Sequence, residues 1–235
     1  MEIYKNGETK PCMKIKLTYT KPTIFESKAG GMGYIPHDCG FPVDKNGRQL
    51  RLLAQIECEK VQLDDFPKSG LLQFWILNSE DYGMGWDNQT EQDGFRVIYY
   101  PEVDRTVTED EILSKFIKSE YDDDEYNMPV FGEYGMNFEK CENKYVDYDD
   151  DIDDETYQEI IGHKIGGYPY FTQTDPREYE PLQKYDYLLF QLDTDDDDRG
   201  DRIMWGDSGI GNFFISTEKL KNLDFSDVLY NWDCC

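Results

Sequence analysis

Histidine is nearly absent: the 235 residues contain two, His37 and His163. They occupy different places in the chain's internal pattern, and neither has a nucleophile elbow or a cysteine signature beside it. Ser-His-Asp and Cys-His chemistry needs a base within hydrogen-bond reach of its nucleophile, so that class drops out first. Long apolar runs are missing too. No stretch approaches the roughly 20 apolar residues that span a bilayer, and the opening MEIYKNGETK has no apolar segment of secretory type. A cytoplasmic protein without membrane contact is the expectation. Basic residues are scarce, 24 Lys and Arg against 50 Asp and Glu, for a net charge of −26. Phosphate backbones repel such a chain, so nucleic acid is not an expected partner. The six cysteines form no CxxC pair and no metal-ligand rhythm, and in a reducing compartment they read as free thiols. Cys234-Cys235 has the form of a double-prenylation tail but lacks the basic residues that assist an anchor, and Tyr230-Asn231-Trp232 before it suggest a packed end.

What is present argues for folding. Aromatics make up 15% of the residues, including 18 Tyr and 13 Phe, more than a disordered chain has to bury. The length is ample for a substantial core. The charge is uneven: residues 1–100 carry 12 basic and 14 acidic groups, 101–160 carry 5 and 21, and 161–235 carry 7 and 15. The middle segment therefore holds −16 of the −26. Solubility alone accounts for an acidic surface, and a basic protein partner is the sharper alternative.

Three blocks recur in order. Lys28-Ala29-Gly30-Gly31 returns as Lys164-Ile165-Gly166-Gly167, and Leu52–Ile56 (LLAQI) as Leu188–Leu192 (LLFQL), both 136 residues on. Ser69–Ile76 (SGLLQFWI) returns as Ser208–Ile215 (SGIGNFFI), 139 residues on. This register reads as a duplication. Each copy runs from a Gly-Gly turn into a strand, a Ser-Gly turn and an aromatic strand. Alternation predicts further strands over Met13–Tyr19 and Phe95–Tyr100. The capping box Thr108–Glu111 predicts a helix with Ile112, Leu113, Phe116 and Ile117 as its apolar stripe. A second helix is expected over Glu155–Ile161, ending at Gly162, and short helical turns over Thr217–Lys221 and Ser226–Tyr230. The expected fold is α+β: mostly antiparallel sheets with a few short helices, in a single domain spanning 1–235. Its two repeats, about 13–100 and 160–216, are related by a pseudo-twofold, and an acidic connector over about 101–159 joins them.

The blocks KxGGxxYxP (Lys28–Pro36), LLAQI, GLLQFW (Gly70–Trp75), LLFQLDTD (Leu188–Asp195), WGDSGxGNFFIS (Trp205–Ser216) and VLYNWDCC (Val228–Cys235) resemble the bacterial YwqG-like family over most of the chain. The resemblance implies a cytosolic protein with a duplicated α+β fold. That family has no assigned function and lends no catalytic residues. Against its pattern the chain begins close to the first strand, without a leading helix.

Four constellations invite chemistry. Asp193, Asp195 and Asp197 match the first carboxylates of an EF-hand loop, but Asp198 stands where glycine is required and Met204 where the closing glutamate belongs. An acidic turn between strands is the simpler reading, weak divalent-cation binding the alternative, and no cofactor is expected. Asp147–Asp154 reads the same way, as a solvated charge run. In Trp205-Gly206-Asp207-Ser208-Gly209, Asp207 could accept a ligand hydrogen bond beside Trp205 as a stacking wall, or merely cap its own turn. The pairs Gln55/Gln191 and Lys28/Lys164 persist in both copies. Structure explains them most simply, while a groove near a pseudo-twofold axis would make them ligand contacts.

The functional expectation is a non-enzymatic binding module, of immunity type, that masks a basic protein. Tyr121, Tyr126, Tyr134, Tyr145, Tyr148 and Tyr157 interleave the acids of the middle segment as contact residues. A metal-dependent or small-molecule enzyme built on Asp193, Asp195 and Asp207 is the second reading.

Overall fold

A computed structural model describes residues 7–123, 127–146 and 154–234. The chain divides into two compact units. One comprises Leu17–Val61 and Pro67–Asn137, and we call it the Lys28 unit after its buried lysine. The other, the Lys164 unit, comprises Met1–Lys16, Gln62–Phe66 and Phe138–Cys235.

The described chain enters along β1 (Thr9–Thr18). In the Lys28 unit follow β2 (Lys28–Gly30), β3 (Arg51–Glu57), β4 (Leu71–Ile76) and β5 (Phe95–Tyr100), then helix α1 (Glu109–Lys115). A long strand, β6 (Glu133–Lys144), completes the ladder β6-β2-β3-β4-β5. In the Lys164 unit come α2 (Asp154–Ile160), β7 (His163–Gly166), β8 (Tyr187–Asp193), β9 (Asp195–Asp197), β10 (Gly200–Ile203), β11 (Ile210–Ile215), α3 (Thr217–Lys221) and β12 (Val228–Asp233). Its ladder runs β12-β11-β8-β7-β1-β6, and β9 and β10 form a separate hairpin. The pairings β2–β3, β3–β4 and β4–β5 are antiparallel, as are β1–β7, β7–β8, β8–β11 and β11–β12.

This corrects the α+β expectation: the fold is mostly β. Among the described residues no α-helix exceeds seven residues, too few to make a layer. Several stretches supply strand where none was expected: the Asp-rich run read as an acidic turn forms the hairpin β9–β10, and the lysines before the two Gly-Gly turns lie on β2 and β7. The acidic segment contributes twelve-residue β6, and Val228–Asp233, read as a helical turn at its start, is strand β12. The reason at β12 is burial. Val228, Leu229 and Tyr230 are all enclosed, with Tyr230 stacked on Phe213 at 4.5 Å, and only a strand beside β11 offers each of them a neighbour. Half of the expected capping box forms at α1: Thr108 Oγ1 accepts from Glu111 N, but the Glu111 carboxylate engages His37 and Lys115, and of the apolar stripe only Ile112 is fully buried.

Each unit has its own core. Tyr34, Ile35, Leu52, Trp75, Val107 and Ile112 anchor the Lys28 unit, and Phe171, Tyr185, Leu188, Phe214 and Leu229 the Lys164 unit. Both ladders carry a bulge at the same place in the repeated block. Leu52 and Ala54 face Trp75 and Phe74, leaving Leu53 extra, and Leu188 and Phe190 face Phe214 and Phe213, leaving Leu189 extra.

The free-thiol expectation also needs correcting. Cys12 on β1 and Cys141 on β6 form a disulfide, with Cα atoms 5.2 Å apart. Spacing in sequence concealed it, because 129 residues separate the two and only the strand order makes them neighbours. Cys39, Cys58 and Cys234 are free thiols. Burial pushes the Cys58 thiol up to about 12, so it stays protonated and inert. Cys235 lies outside the described residues, as do residues 147–153 of the Asp147–Asp154 run.

Candidate functional site

The repeated lysines and glutamines resolve residue by residue. In the Lys28 unit, Gln55 is fully buried and makes four hydrogen bonds. Its Oε1 accepts from Tyr34 N (2.9 Å) and Gln73 Nε2 (2.7 Å), and its Nε2 donates to the carbonyls of Ile24 (3.0 Å) and Glu26 (2.9 Å). Gln73 Nε2 also reaches Tyr34 O, and its Oε1 accepts from Trp75 Nε1. The two amides clamp the chain that leaves Gly30-Gly31, whose φ of 67° and 69° suits glycine. In the Lys164 unit, Gln191 Oε1 accepts from Tyr170 N (2.8 Å) and its Nε2 donates to Gly162 O (2.7 Å), while Asn212 Nδ2 donates to Tyr170 O. Both amides hold backbone rather than face a cavity.

The lysines differ. Lys28 Nζ donates to Glu133 Oε1 (2.7 Å) and Met32 O (2.9 Å). Lys164, equally buried, donates to Ile160 O at 2.5 Å. Burial depresses the Lys164 ammonium to about 7, with Asp193 opposing the shift.

Nor do the other sequence candidates converge. Trp205 is fully buried, tilted near Tyr230 and stacked with Trp232, so it presents no open face to a ligand. A Cβ on Gly211 would come within 2.4 Å of its ring, which explains that glycine. Asp207 sits in an exposed turn. Asp193 accepts from Gly162 N (2.7 Å), Asp195 pairs with His163 Nε2 (2.8 Å) and with Arg202, and Asp197 caps Arg199 N (2.8 Å). These carboxylates are spent on separate partners. Among the described residues no group of three His, Cys, Asp or Glu side chains is placed to hold a metal ion. His163 Nδ1 accepts from Asp193 N, which orients the ring toward Asp195. His37 sits in a surface network with Glu111 and Thr106.

A different place stands out in the Lys28 unit. Between β4 and β5 the chain runs DYGMGWDNQTEQDG, rich in turn residues and with a single tryptophan. Leu77 N bonds to Gly94 O (2.7 Å) at the base of this loop, and Gly83 packs backbone to backbone on Gly94, where neither position has room for a Cβ. Tyr82 takes φ +47°, a left-handed conformation unusual for a side chain of its size, and is itself buried. The loop bounds a groove of about 750 Å³. Five carboxylates line it, Glu80, Asp81, Asp87, Glu91 and Asp93, against two cations, Lys45 and Arg48. Both cations are already paired, Lys45 with Asp93 and Arg48 with Asp44, so the groove's surplus is negative. Trp86 forms part of its wall with 67% of its surface exposed, its indole N–H held by Asp81 Oδ1 at 2.8 Å. Tyr121, 40% exposed, lines the groove as well.

The groove lies within the part of the chain that matches a described family, Domain of unknown function (DUF1963), over residues 27–234. The chain belongs to the DUF1963 family. No curated protein matches it. The DUF1963 match takes in both Gly-Gly turns, both amide clamps and the Trp86 loop. Of the six tyrosines expected as contacts, only Tyr121 reaches the groove of this DUF1963 domain. Tyr134 is buried, Tyr145 packs on Tyr168, Tyr157 is exposed elsewhere, and Tyr126 and Tyr148 lie outside the described residues. Sequence reading passed over Trp86. Its signal was a lone indole in a stretch with no apolar periodicity, where nothing local could bury it. No helix among the described residues is long and apolar enough to cross a membrane.

Proposed function

We propose that this DUF1963 chain is a non-enzymatic binding protein whose partner is a basic protein, engaged at the Trp86 groove. The observation that carries the reading is the exposed indole set among five carboxylates. Trp is the side chain most enriched at binding hot spots, and an Arg or Lys laid over it gains cation–π attraction. The surrounding acids supply the long-range attraction and the rim ion pairs. A masking role of immunity type fits that chemistry, and so does the YwqG-like resemblance, which brings no catalytic residues. The second reading, metal-dependent chemistry at Asp193, Asp195 and Asp207, has less support because the first two carboxylates are held by internal donors.

A fluorescein-labelled Lys/Arg-rich peptide, with a Gln-substituted peptide as control, tests the groove by fluorescence anisotropy. The basic peptide is expected to bind at low salt and to weaken steeply as salt rises. Trp86→Ala should cost at least about tenfold in affinity. Equal binding of both peptides, or an unaffected Trp86→Ala variant, defeats the reading. A cytosolic setting belongs to the same proposal. The Cys12–Cys141 disulfide runs against that setting, so the oxidation state of the pair in protein alkylated at lysis tests it: a reduced pair supports a cytosolic location and an oxidised pair defeats it.

A further inference from the structure

Each unit has a pocket beside its Gly-Gly turn, and the two are built at corresponding positions. Gly30, Gly31, Arg51 and Leu52 line one of about 450 Å³, and Gly166, Gly167, Tyr187 and Leu188 line the other of about 460 Å³. Each residue of the second set lies 136 positions after its counterpart, the offset of the repeat. The walls differ. The Lys28 unit closes its pocket with Met32, Phe41, Phe116, Met128, Val130 and Phe131. Its one ion pair there, Arg51 with Asp122, is internally satisfied by contacts of 2.5 and 2.7 Å.

The Lys164 unit closes its pocket with charge of both signs. Lys10, Lys140 and Arg177 line it with Asp64, Asp65 and Asp186. Several of these are committed: Arg177 to Asp175, Asp65 to Lys221, and Asp186 to the amide and hydroxyl of Thr217. The Lys140 and Asp64 side chains are not, and neither makes a hydrogen bond or ion pair among the described residues. Lys10, half-buried, has its ammonium 4.8 Å from the centre of the Tyr168 ring. The two lysines stand on β1 and β6, two residues before Cys12 and one before Cys141, so the disulfide fixes the backbones that carry them. Fixed donors lose less entropy on binding. Leu63, Leu188 and the Tyr187 ring supply apolar surface between the charges.

We infer that the Lys164-unit pocket binds a small zwitterion, an α-amino acid or short peptide. Lys140 and Lys10 face its carboxylate, Asp64 its ammonium, and the Leu63, Tyr187 and Leu188 surface its side chain. The volume lies in the range of small-ligand sites and accommodates a dipeptide. This site shares no residue with the Trp86 groove, so either can fail alone.

The test is a thermal-shift and calorimetric titration of the full chain with free alanyl-phenylalanine, its N-acetyl form and its C-amide. The free dipeptide is expected to raise Tm with concentration, and each blocked form to bind about tenfold more weakly. Lys140→Ala should weaken the free peptide about tenfold while leaving the amide unchanged, and Asp64→Ala should do the same with the N-acetyl form spared. Both residues are exposed, so the variants fold, and Trp86→Ala should leave this titration untouched. No shift with the free dipeptide, or equal binding of the blocked forms, overturns the inference. So does indifference of both variants.

Discussion

The Lys28 and Lys164 units share a backbone plan and differ in what that plan surrounds. Both have a short lysine-bearing strand, a Gly-Gly turn with positive φ, a bulged strand with a buried glutamine and a following strand whose amide holds the turn. Across the lysine strand the partners diverge. Gly30 faces Glu133 on β6, which gives Lys28 a carboxylate, whereas Gly166 faces Cys12 on β1, which is tied up with Cys141. The amides diverge too. Gln73 is long enough to bridge to Gln55 and receives Trp75 Nε1, whereas two residues after Asn212 the chain has Phe214, which offers no indole N–H, and Asn212 Oδ1 is buried without a partner. Hydrogen-bonded geometry thus survives the loss of a carboxylate partner and of an amide bridge. Backbone amides and carbonyls, present at every residue, do most of the holding.

The largest test of that contrast is at the glutamines. Gln55→Leu strips a partner from four groups, three of them at buried contacts, and Gln191→Leu from two, both at part-buried ones. At about 1–3 kcal/mol for each orphaned group, the first should cost roughly twice the second, on the order of 4 kcal/mol or more against about 2. Urea unfolding of the two variants measures the ratio. Equal costs would mean that the units are not held by the same clamp.

Lys164 comes next, with an effect that depends on pH. Its ammonium titrates near 7 in the folded chain and near 10.5 when unfolded. Between those values the unfolded chain holds a proton that the folded chain lacks, so this group makes stability rise with pH across the window and lowest below pH 7. Lys164→Met should therefore stabilise the protein at pH 6 by roughly 3 kcal/mol after the lost Ile160 hydrogen bond is subtracted. The gain should fade toward pH 10.5. Lys28→Met should show no such gain, because it strands Glu133. Chemical unfolding at a series of pH values decides it, and a destabilised Lys164→Met at pH 6 would break the contrast.

The smallest effect sharpens the amide difference. Trp75→Phe recreates in the Lys28 unit what Phe214 makes of the other, leaving Gln73 Oε1 without its indole donor. A loss of about 1–3 kcal/mol in thermal unfolding is expected. A neutral result would place the burden of the clamp on Gln55 alone.

Much of this was legible before any fold was known. The repeat register, the Gly-Gly turns, the strands over Phe95–Tyr100 and the LLxQ blocks, and the capped helix at Thr108 follow from local chemistry. Apolar period, glycine's conformational freedom and a side-chain cap all act within a few residues. The same reading favoured a structural role for the paired amides because a buried amide must find partners. It could not name Tyr34, Tyr170 or Gly162 as those partners.

Tertiary structure alone decided the rest. The predominance of β structure depended on β6 and β12, whose segments look acidic or turn-like until a neighbouring ladder buries one face. Cys12 met Cys141 only through the strand order, and Trp205 became core only where Gly211 made room for its ring. The Trp86 groove and the pocket between Lys10 and Lys140 likewise join residues distant in sequence. Local propensity is a property of a few adjacent residues, whereas burial, charge pairing and cavities belong to neighbours that only the folded chain assembles.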